Sequence, residues 1–255
     1  MSLSVALITY NEEKKLARTL EAVKSIANEI IIVDSFSTDN TLVIAKSFGA
    51  KVYQERWQGY GAQRNSLIEK CTCDWILMID ADEVLSPECV EDIKIQIEQS
   101  IHEVFEIVFK TVYFDREIKY GGWSGSKKIR LHKKGSGKFN SNVVHEVFET
   151  EKPLRTLKGN IYHYTYLDIT AYLEKFNRYT SEAAKERLRR GKKSSILIIL
   201  LRSSYKFFYQ YILRLGFLDG GEGLILAYFS ASYAFATYTK LREYNKKGIT
   251  YEELC

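Results

Sequence analysis

The sequence predicts an α/β fold, a mainly parallel sheet wound with helices and followed by a helical extension. Three observations carry this. Short apolar runs alternate with amphipathic stretches from Leu3 to Glu83, which is the pattern of a parallel sheet whose crossovers are helices. Polar and acidic residues stand at the exits of these runs, at Thr9 to Glu12, Asp34 to Asp39 and Asp80 to Glu83. From about Asp168 the apolar spacing turns helical, with Tyr172, Phe176, Tyr179, Ala183 and Arg187 on one face.

In chain order, Leu3 to Thr9 reads as a first buried strand, and Asn11 as the cap of a helix striped by Leu16, Leu20, Val23 and Ile26. Glu29 to Asp34 is a second strand ending in an acid. The polar loop Ser35 to Asn40 opens a helix from about Thr41 to Phe48, which Gly49 stops. Lys51 to Glu55 is a third strand, and Gly59-Tyr60-Gly61 loosens the loop before a helix of about Ala62 to Cys71. Trp75-Ile76-Leu77-Met78-Ile79 forms a buried strand that breaks off into Asp80-Ala81-Asp82-Glu83. Ser86 caps the next helix, with Pro87 at its first position and Glu88 in its first turn. Further strands are expected at Val104 to Phe114, Lys128 to His132, Asn142 to Glu149 and Asn160 to Tyr166, with Gly121 to Ser126 as a flexible loop. Gly223 to Thr239 carries no charge but holds Ser230, Ser232, Thr237, Thr239 and three Tyr. It is read as a helix packed on the protein or lying on a membrane face rather than as a span.

Composition is that of a globular protein: 255 residues, 45% hydrophobic and 27% charged. Cys71, Cys73, Cys89 and Cys255 fit neither a disulfide framework nor a zinc pattern, and are expected to be reduced thiols in a cytoplasmic protein. Asn11 to Lys15 interrupt any signal-peptide core. Residues 1–174 hold 22 Lys+Arg and 25 Asp+Glu, a balance of −3; residues 175–255 hold 15 and 7, a balance of +8. A basic back half favours anionic lipid or a phosphorylated acceptor. No reader motif interleaves that charge, so nucleic acid is not expected as a partner.

Two carboxylates at i and i+2, leaving a buried strand, can converge on one hard cation such as Mg2+ or Mn2+ shared with substrate phosphates. Asp-x-Asp alone is common. The acids at the earlier strand ends give it weight, because ligands of wound sheets bind at the carboxyl ends of the strands. No Gly-x-Gly-x-x-Gly follows the first strand and no phosphate-binding loop ending in Gly-Lys-Ser/Thr occurs, which disfavours dinucleotide binding and a P-loop kinase.

Thr9-Tyr10-Asn11-Glu12-Glu13, Ile32 to Asp39, Gly61 to Asn65 and Leu77 to Glu83, in this order, resemble the inverting glycosyltransferases of family two, which have the GT-A fold. Val144-His145-Glu146, Tyr172 to Tyr179 and Gly216 to Gly220 resemble bacterial glucosyltransferases of the lipopolysaccharide or lipooligosaccharide inner core. The resemblance implies a GT-A domain over residues 1–167, its nucleotide-sugar half 1–100 and its acceptor half 101–167. Residues 168–255 are then a basic and aromatic extension at the membrane surface. It implies a nucleotide-binding set of Thr9, Tyr10, Asn11, Glu12, Asp34, Ser37, Arg64 and Asp80. The metal would sit on Asp80 and Asp82; His145 is a candidate third ligand or a hydrogen-bonded histidine. The implied donor is a UDP-sugar, UDP-glucose first, and the acceptor a membrane-borne glycolipid at the inner face of the cytoplasmic membrane.

A diphosphate beside these carboxylates costs ~4 kcal/mol for each like-charge pair at 4 Å and an effective dielectric of 20, and a divalent cation reverses that sign. Inversion also needs a base for the acceptor hydroxyl. Glu146 is the first candidate and Asp115 the second. Trp123, His163 and Arg178 are candidates for acceptor binding, Trp123 by stacking on a sugar face. Alternatives remain: a polyprenyl phosphate, capsule or protein acceptor for the same chemistry, a nucleotidyltransferase, or a non-catalytic binder of anionic polymers.

Overall fold

The computed structural model describes residues 1–113, 115–140, 146–166 and 169–254. One unit comprises Met1–Lys110 and Gly125–Tyr164, and a second comprises Thr111–Ser124 and Thr165–Cys255.

The first unit begins as expected, with strand and helix in turn: β1 (Leu3–Thr9), α1 (Leu16–Val23), β2 (Glu29–Asp34), α2 (Thr41–Ser47), β3 (Lys51–Gln54), α3 (Tyr60–Lys70) and β4 (Trp75–Met78). The order β3-β2-β1-β4 is parallel throughout, with Thr9 level with Asp34 and Ala6 level with Met78. Strand alternation splits the apolar side chains between two faces. Leu3, Val5 and Leu7 pack on Leu16, Leu20 and Val23 of α1, whereas Ala6, Ile31 and Val33 pack with Leu67 and Cys71 on the other side. Both faces of β1, β2 and β4 are therefore buried, which is why these three are nearly uniform apolar runs, whereas the edge strand β3 is mostly exposed.

Beyond β4 the chain adds β5 (Glu83–Leu85), α4 (Pro87–Gln99), β6 (Val104–Tyr113), β7 (Arg116–Ile118), β8 (Lys127–Lys133), β9 (Lys138–Phe139), β10 (Phe148–Glu149) and β11 (Leu154–Tyr166). β8 lies antiparallel to β4 and to β6, and β5 antiparallel to β11, which makes the sheet mixed. Ser86 accepts from Cys89 N and Pro87 takes the first turn of α4, as the sequence indicates. The strand expected at Asn142 to Glu149 falls partly outside the described residues; its end, β10, pairs with β9 as a hairpin.

Two expectations change. Asn11 does not cap α1, which begins at Leu16 after Lys15. Asn11 instead has φ 53°, and its side-chain carbonyl accepts from Thr38 N at 2.8 Å. Its short polar side chain makes that backbone tolerable. β11 starts at Leu154, not Asn160, because Leu154, Arg155 and Thr156 are exposed and lack an apolar signature.

In the second unit, β7 pairs with the Thr111–Tyr113 end of β6. Three helices follow, α5 (Ile169–Arg189), α6 (Ile196–Phe208) and α7 (Gly220–Lys247), with a π-helical turn Tyr209–Leu213 and a 3-10 turn Gly216–Asp219 between the last two. α7 packs against α5 and α6, burying Leu226, Ala227, Ser230, Thr237 and Leu241. Lys240 Nζ ties it to α5 through Asn177 O at 2.9 Å and Thr180 Oγ1 at 2.8 Å. Asp219 is buried because it accepts from Lys119 N and Tyr120 N, at 3.2 and 2.8 Å. Among the described residues no helix is long and apolar enough to cross a membrane.

Candidate active site

The carboxyl ends of β1, β2 and β4 carry polar chemistry to one edge of the first unit. Thr9 and Asp34 are level across β1 and β2, and both are buried. Thr9 Oγ1 donates to Asp34 Oδ2 at 2.9 Å, and Ser37 N donates to Oδ1 at 2.8 Å. Ser37 Oγ accepts from Asn11 N at 2.8 Å and itself donates to Asp34. Glu12 N donates to Thr41 Oγ1 at 2.7 Å. The loops after β1 and β2 are thus stitched into one surface around a buried carboxylate. Tyr10, on the same loop, points to solvent with 59% of its surface exposed.

The loop after β4 is held just as tightly. Thr19 Oγ1 of α1 donates to Ala81 O at 2.7 Å, Tyr164 N to Asp82 O at 2.9 Å, and Glu83 N to Asp80 O at 3.0 Å. Asp80 takes both carboxylate oxygens to Arg64 Nη2, at 2.9 and 3.2 Å, and Oδ2 also to Arg130 Nη2 at 2.8 Å. Burial pushes the Asp80 carboxyl up, but Arg64 and Arg130 outweigh it and hold the group ionised far below the usual carboxylate range. Asp82 faces Lys15 Nζ at 3.5 Å on Oδ2 and His163 Nε2 at 3.4 Å on Oδ1. Here too burial pushes up, and His163 with Lys15 brings the carboxyl below its ordinary value. Lys15 also reaches Glu12 Oε2 at 3.7 Å, joining the two halves of the edge.

Glu83 does not exit to solvent. It begins β5, is buried, ion-pairs with Arg130, and accepts from Asp80 N at 3.1 Å. Burial, with Asp80 and Asp82 beside it, pushes its carboxyl up to about 7 against the pull of Arg130. Arg130 was not legible as a site residue. The only local signal is a lone Arg at the head of the buried β8 run Arg130, Leu131 and His132.

Arg64, in the second turn of α3, connects this cluster to Glu146, whose Oε1 lies 3.5 Å away. Gly61 explains the approach: a Cβ there would fall on the carbonyl of Asn140, so only glycine lets the hairpin close on α3. His163 therefore stands with Asp82, and Glu146 with Arg64. His145 lies outside the described residues. Asp115 sits in the exposed turn between β6 and β7 with φ 58°. Trp123 packs beside Tyr113, Ile118 and Leu226, and Arg178 is exposed over the Tyr179 ring at 5.2 Å. Those three belong to the second unit. Among the described residues, no three His, Cys, Asp or Glu side chains form a ready-made cation site.

Residues 4–143 match the family model "Glycosyl transferase family 2". The chain belongs to glycosyltransferase family 2. The transferase is 33% identical over 258 residues to an uncharacterized glycosyltransferase of Rickettsia typhi, covering 96% of this chain and 88% of the relative. It is 29% identical over 252 residues to the lipopolysaccharide core biosynthesis glycosyltransferase LpsC of Rhizobium meliloti, covering 94% and 92%. Among solved structures it is similar to residues 1–349 of S. aureus TarS in complex with UDP-GlcNAc, at a TM-score of 0.50 and 17% identity, covering 97% and 92%. The transferase has the GT-A fold that its first four motifs suggest, with a C-terminal helical part ending in the long α7.

Proposed function

We propose that this glycosyltransferase moves a hexose, glucose from UDP-glucose, onto a sugar hydroxyl of a lipopolysaccharide or lipooligosaccharide core, with inversion and with a divalent cation. The observation that carries the reading is the joined polar edge of the first unit. Asp34 is buried and supplied with donors, Asp80 is fixed by two guanidinium groups, and Asp82 faces an ammonium and an imidazole. The likeness to LpsC supports the choice of acceptor.

In this reading Asp34, Ser37, Thr9, Asn11 and Glu12 hold the nucleoside, in residues 1–100. Arg64 and Arg130 keep Asp80 ionised and aimed. Asp82 and His163, an oxygen and a nitrogen donor that face each other, would hold Mg2+ or Mn2+ together with the diphosphate of the donor. When bound, the cation supplies charge stabilisation for the leaving diphosphate. Glu146 takes the proton from the acceptor hydroxyl, and Arg64 orients its carboxylate. Residues 101–167 carry the acceptor side, and residues 168–255 bring the enzyme to the cytoplasmic face of the membrane.

The test is a scan of nucleotide sugars for release of nucleotide diphosphate, with Mg2+, Mn2+ or EDTA. Its acceptor arms are lipooligosaccharide core, a polyprenyl phosphate, and none. UDP release from UDP-glucose that needs both cation and core is the expected result. Transfer confined to the polyprenyl phosphate would replace the acceptor, and no release from any nucleotide sugar would overturn the reading.

A further inference from the structure

Helix α6 exposes the side chains that a folded helix ordinarily hides. Leu197 is 65% exposed, Leu201 61% and Phe208 54%, and Leu200 and Tyr205 flank them, whereas Ile199 is buried. Positions 197, 201 and 208 stack along one line of a helix, so this is a continuous apolar stripe. It runs on beyond the helix through exposed Leu213, Phe217 and Leu218. Apolar patches of this extent on a folded surface mark something that covers them.

Charge says what covers them. From Arg187 to Leu218 the chain holds eight Lys+Arg and no Asp or Glu. Lys192 and Lys193, just before the cap Ser195, are exposed, as are Arg202 at the edge of the stripe and Arg214 after it. A second copy of the chain is a poor occupant, because a two-fold interface would set these basic residues against their own counterparts. An anionic bilayer meets both features, headgroups for the bases and acyl chains for the stripe. At 13 residues, α6 is about 20 Å long and falls short of the ~30 Å hydrocarbon core, so it suits the interface rather than a crossing.

We propose that α6 and the turns after it form an interfacial membrane anchor. The Leu197, Leu201 and Phe208 stripe enters the acyl boundary of an anionic bilayer, and Lys192, Lys193 and Arg202 rest on its phosphates. The element differs from the uncharged stretch Gly223 to Thr239, which the sequence leaves open between packing and a membrane face, since α7 spends Leu226, Ala227, Ser230 and Thr237 on packing within its own unit. The proposal deepens the reading of a membrane-borne acceptor. It is tested apart from that reading, because vesicle binding requires neither donor nor acceptor.

The experiment is co-sedimentation of the full chain with vesicles of phosphatidylethanolamine and phosphatidylglycerol, and with pure phosphatidylcholine, at low and high salt. Binding is expected to the anionic vesicles and to weaken with salt. Two variants separate the contributions, Leu197→Asp/Leu201→Asp and Lys192→Glu/Lys193→Glu/Arg202→Glu. Each is expected to lower anionic-vesicle affinity by at least ~tenfold, with far-UV circular dichroism and the thermal shift on adding UDP-glucose with Mn2+ unchanged. Equal binding by the variants, or none by the parent chain, would overturn the anchor. So would a concentration-dependent dimer that Leu197→Asp/Leu201→Asp dissolves in the absence of vesicle binding.

Discussion

Asp82 faces Lys15 Nζ and His163 Nε2, and its main-chain carbonyl accepts from Tyr164 N. Asp82→Asn keeps the volume and that backbone bond but removes the charge. Loss of one preorganised electrostatic partner costs roughly 10²–10³ in rate, so kcat for UDP release should fall by that much while the urea midpoint hardly moves. Near-normal turnover at saturating Mg2+ or Mn2+ would take Asp82 out of the cation site. His132 makes a second, separate case. It is buried against Phe148, ring centroids 4.4 Å apart, its Nε2 has no partner, and burial drives its pKa from 6.5 down to about 4. A depressed pKa means the unfolded chain takes up the proton first as pH falls. The stabilisation from the neutral ring is therefore whole above 6.5 and lost on descent toward 4. At pH 5 that amounts to about 2 kcal/mol. His132→Phe should lose correspondingly less stability than the parent between pH 7.5 and pH 5 in urea titrations. Identical losses in the two proteins would show that His132 does not titrate this way.

At the scale of elements, β11 meets the start of α4 where glycine is the one residue that fits. Gly159 has φ 75°, a Cβ there would run into Cys89 N and lie 2.7 Å from Ser86 Oγ, and Asn160 N donates to that same hydroxyl at 3.0 Å. Gly159→Ala combines a left-handed backbone with overpacking of the α4 cap, and should cost about 2–4 kcal/mol in chemical denaturation. A loss under 1 kcal/mol would mean that the strand can slide away from the cap. This contact also shows which elements were legible from residues alone. β1, β2 and β4 are short apolar runs closed by Thr9, Asp34 and Asp80, and α4 announces itself by Ser86-Pro87-Glu88. The first turns of β11 are not legible, since Leu154-Arg155-Thr156 is exposed and its pairing is non-local. The misreading of Asn11 has the same origin, as its partner Thr38 lies 27 residues away. Arg130 fits the rule too: what makes an interior arginine stable is the pair Asp80 and Glu83, which no window around Arg130 contains.

For the molecule as a whole, the polar edge of the first unit already commits its fixed cations to its own carboxylates. Arg64 and Arg130 answer Asp80, Glu83 and Glu146, and Lys15 answers Asp82 and Glu12. Two more negative charges from a diphosphate therefore meet carboxylates whose partners are committed, and adding a divalent cation restores the balance. Donor and cation should then bind as a linked pair. A ligand bound by the folded state alone stabilises by RT ln(1 + [L]/Kd), about 2.7 kcal/mol at a hundred times Kd. UDP-glucose with Mn2+ should raise the melting temperature of the step that unfolds the first unit by several degrees, as such a free energy does in domains of this size. Either component alone should do much less, and EDTA should reverse the shift. In Asp82→Asn the synergy should vanish while UDP-glucose alone shifts the melting temperature at least as far as in the parent chain, because one like charge beside the diphosphate is gone and Asp34 with its donors is untouched. Equal shifts with and without the cation in the parent would uncouple the two and leave Asp82 and His163 as structural neighbours only.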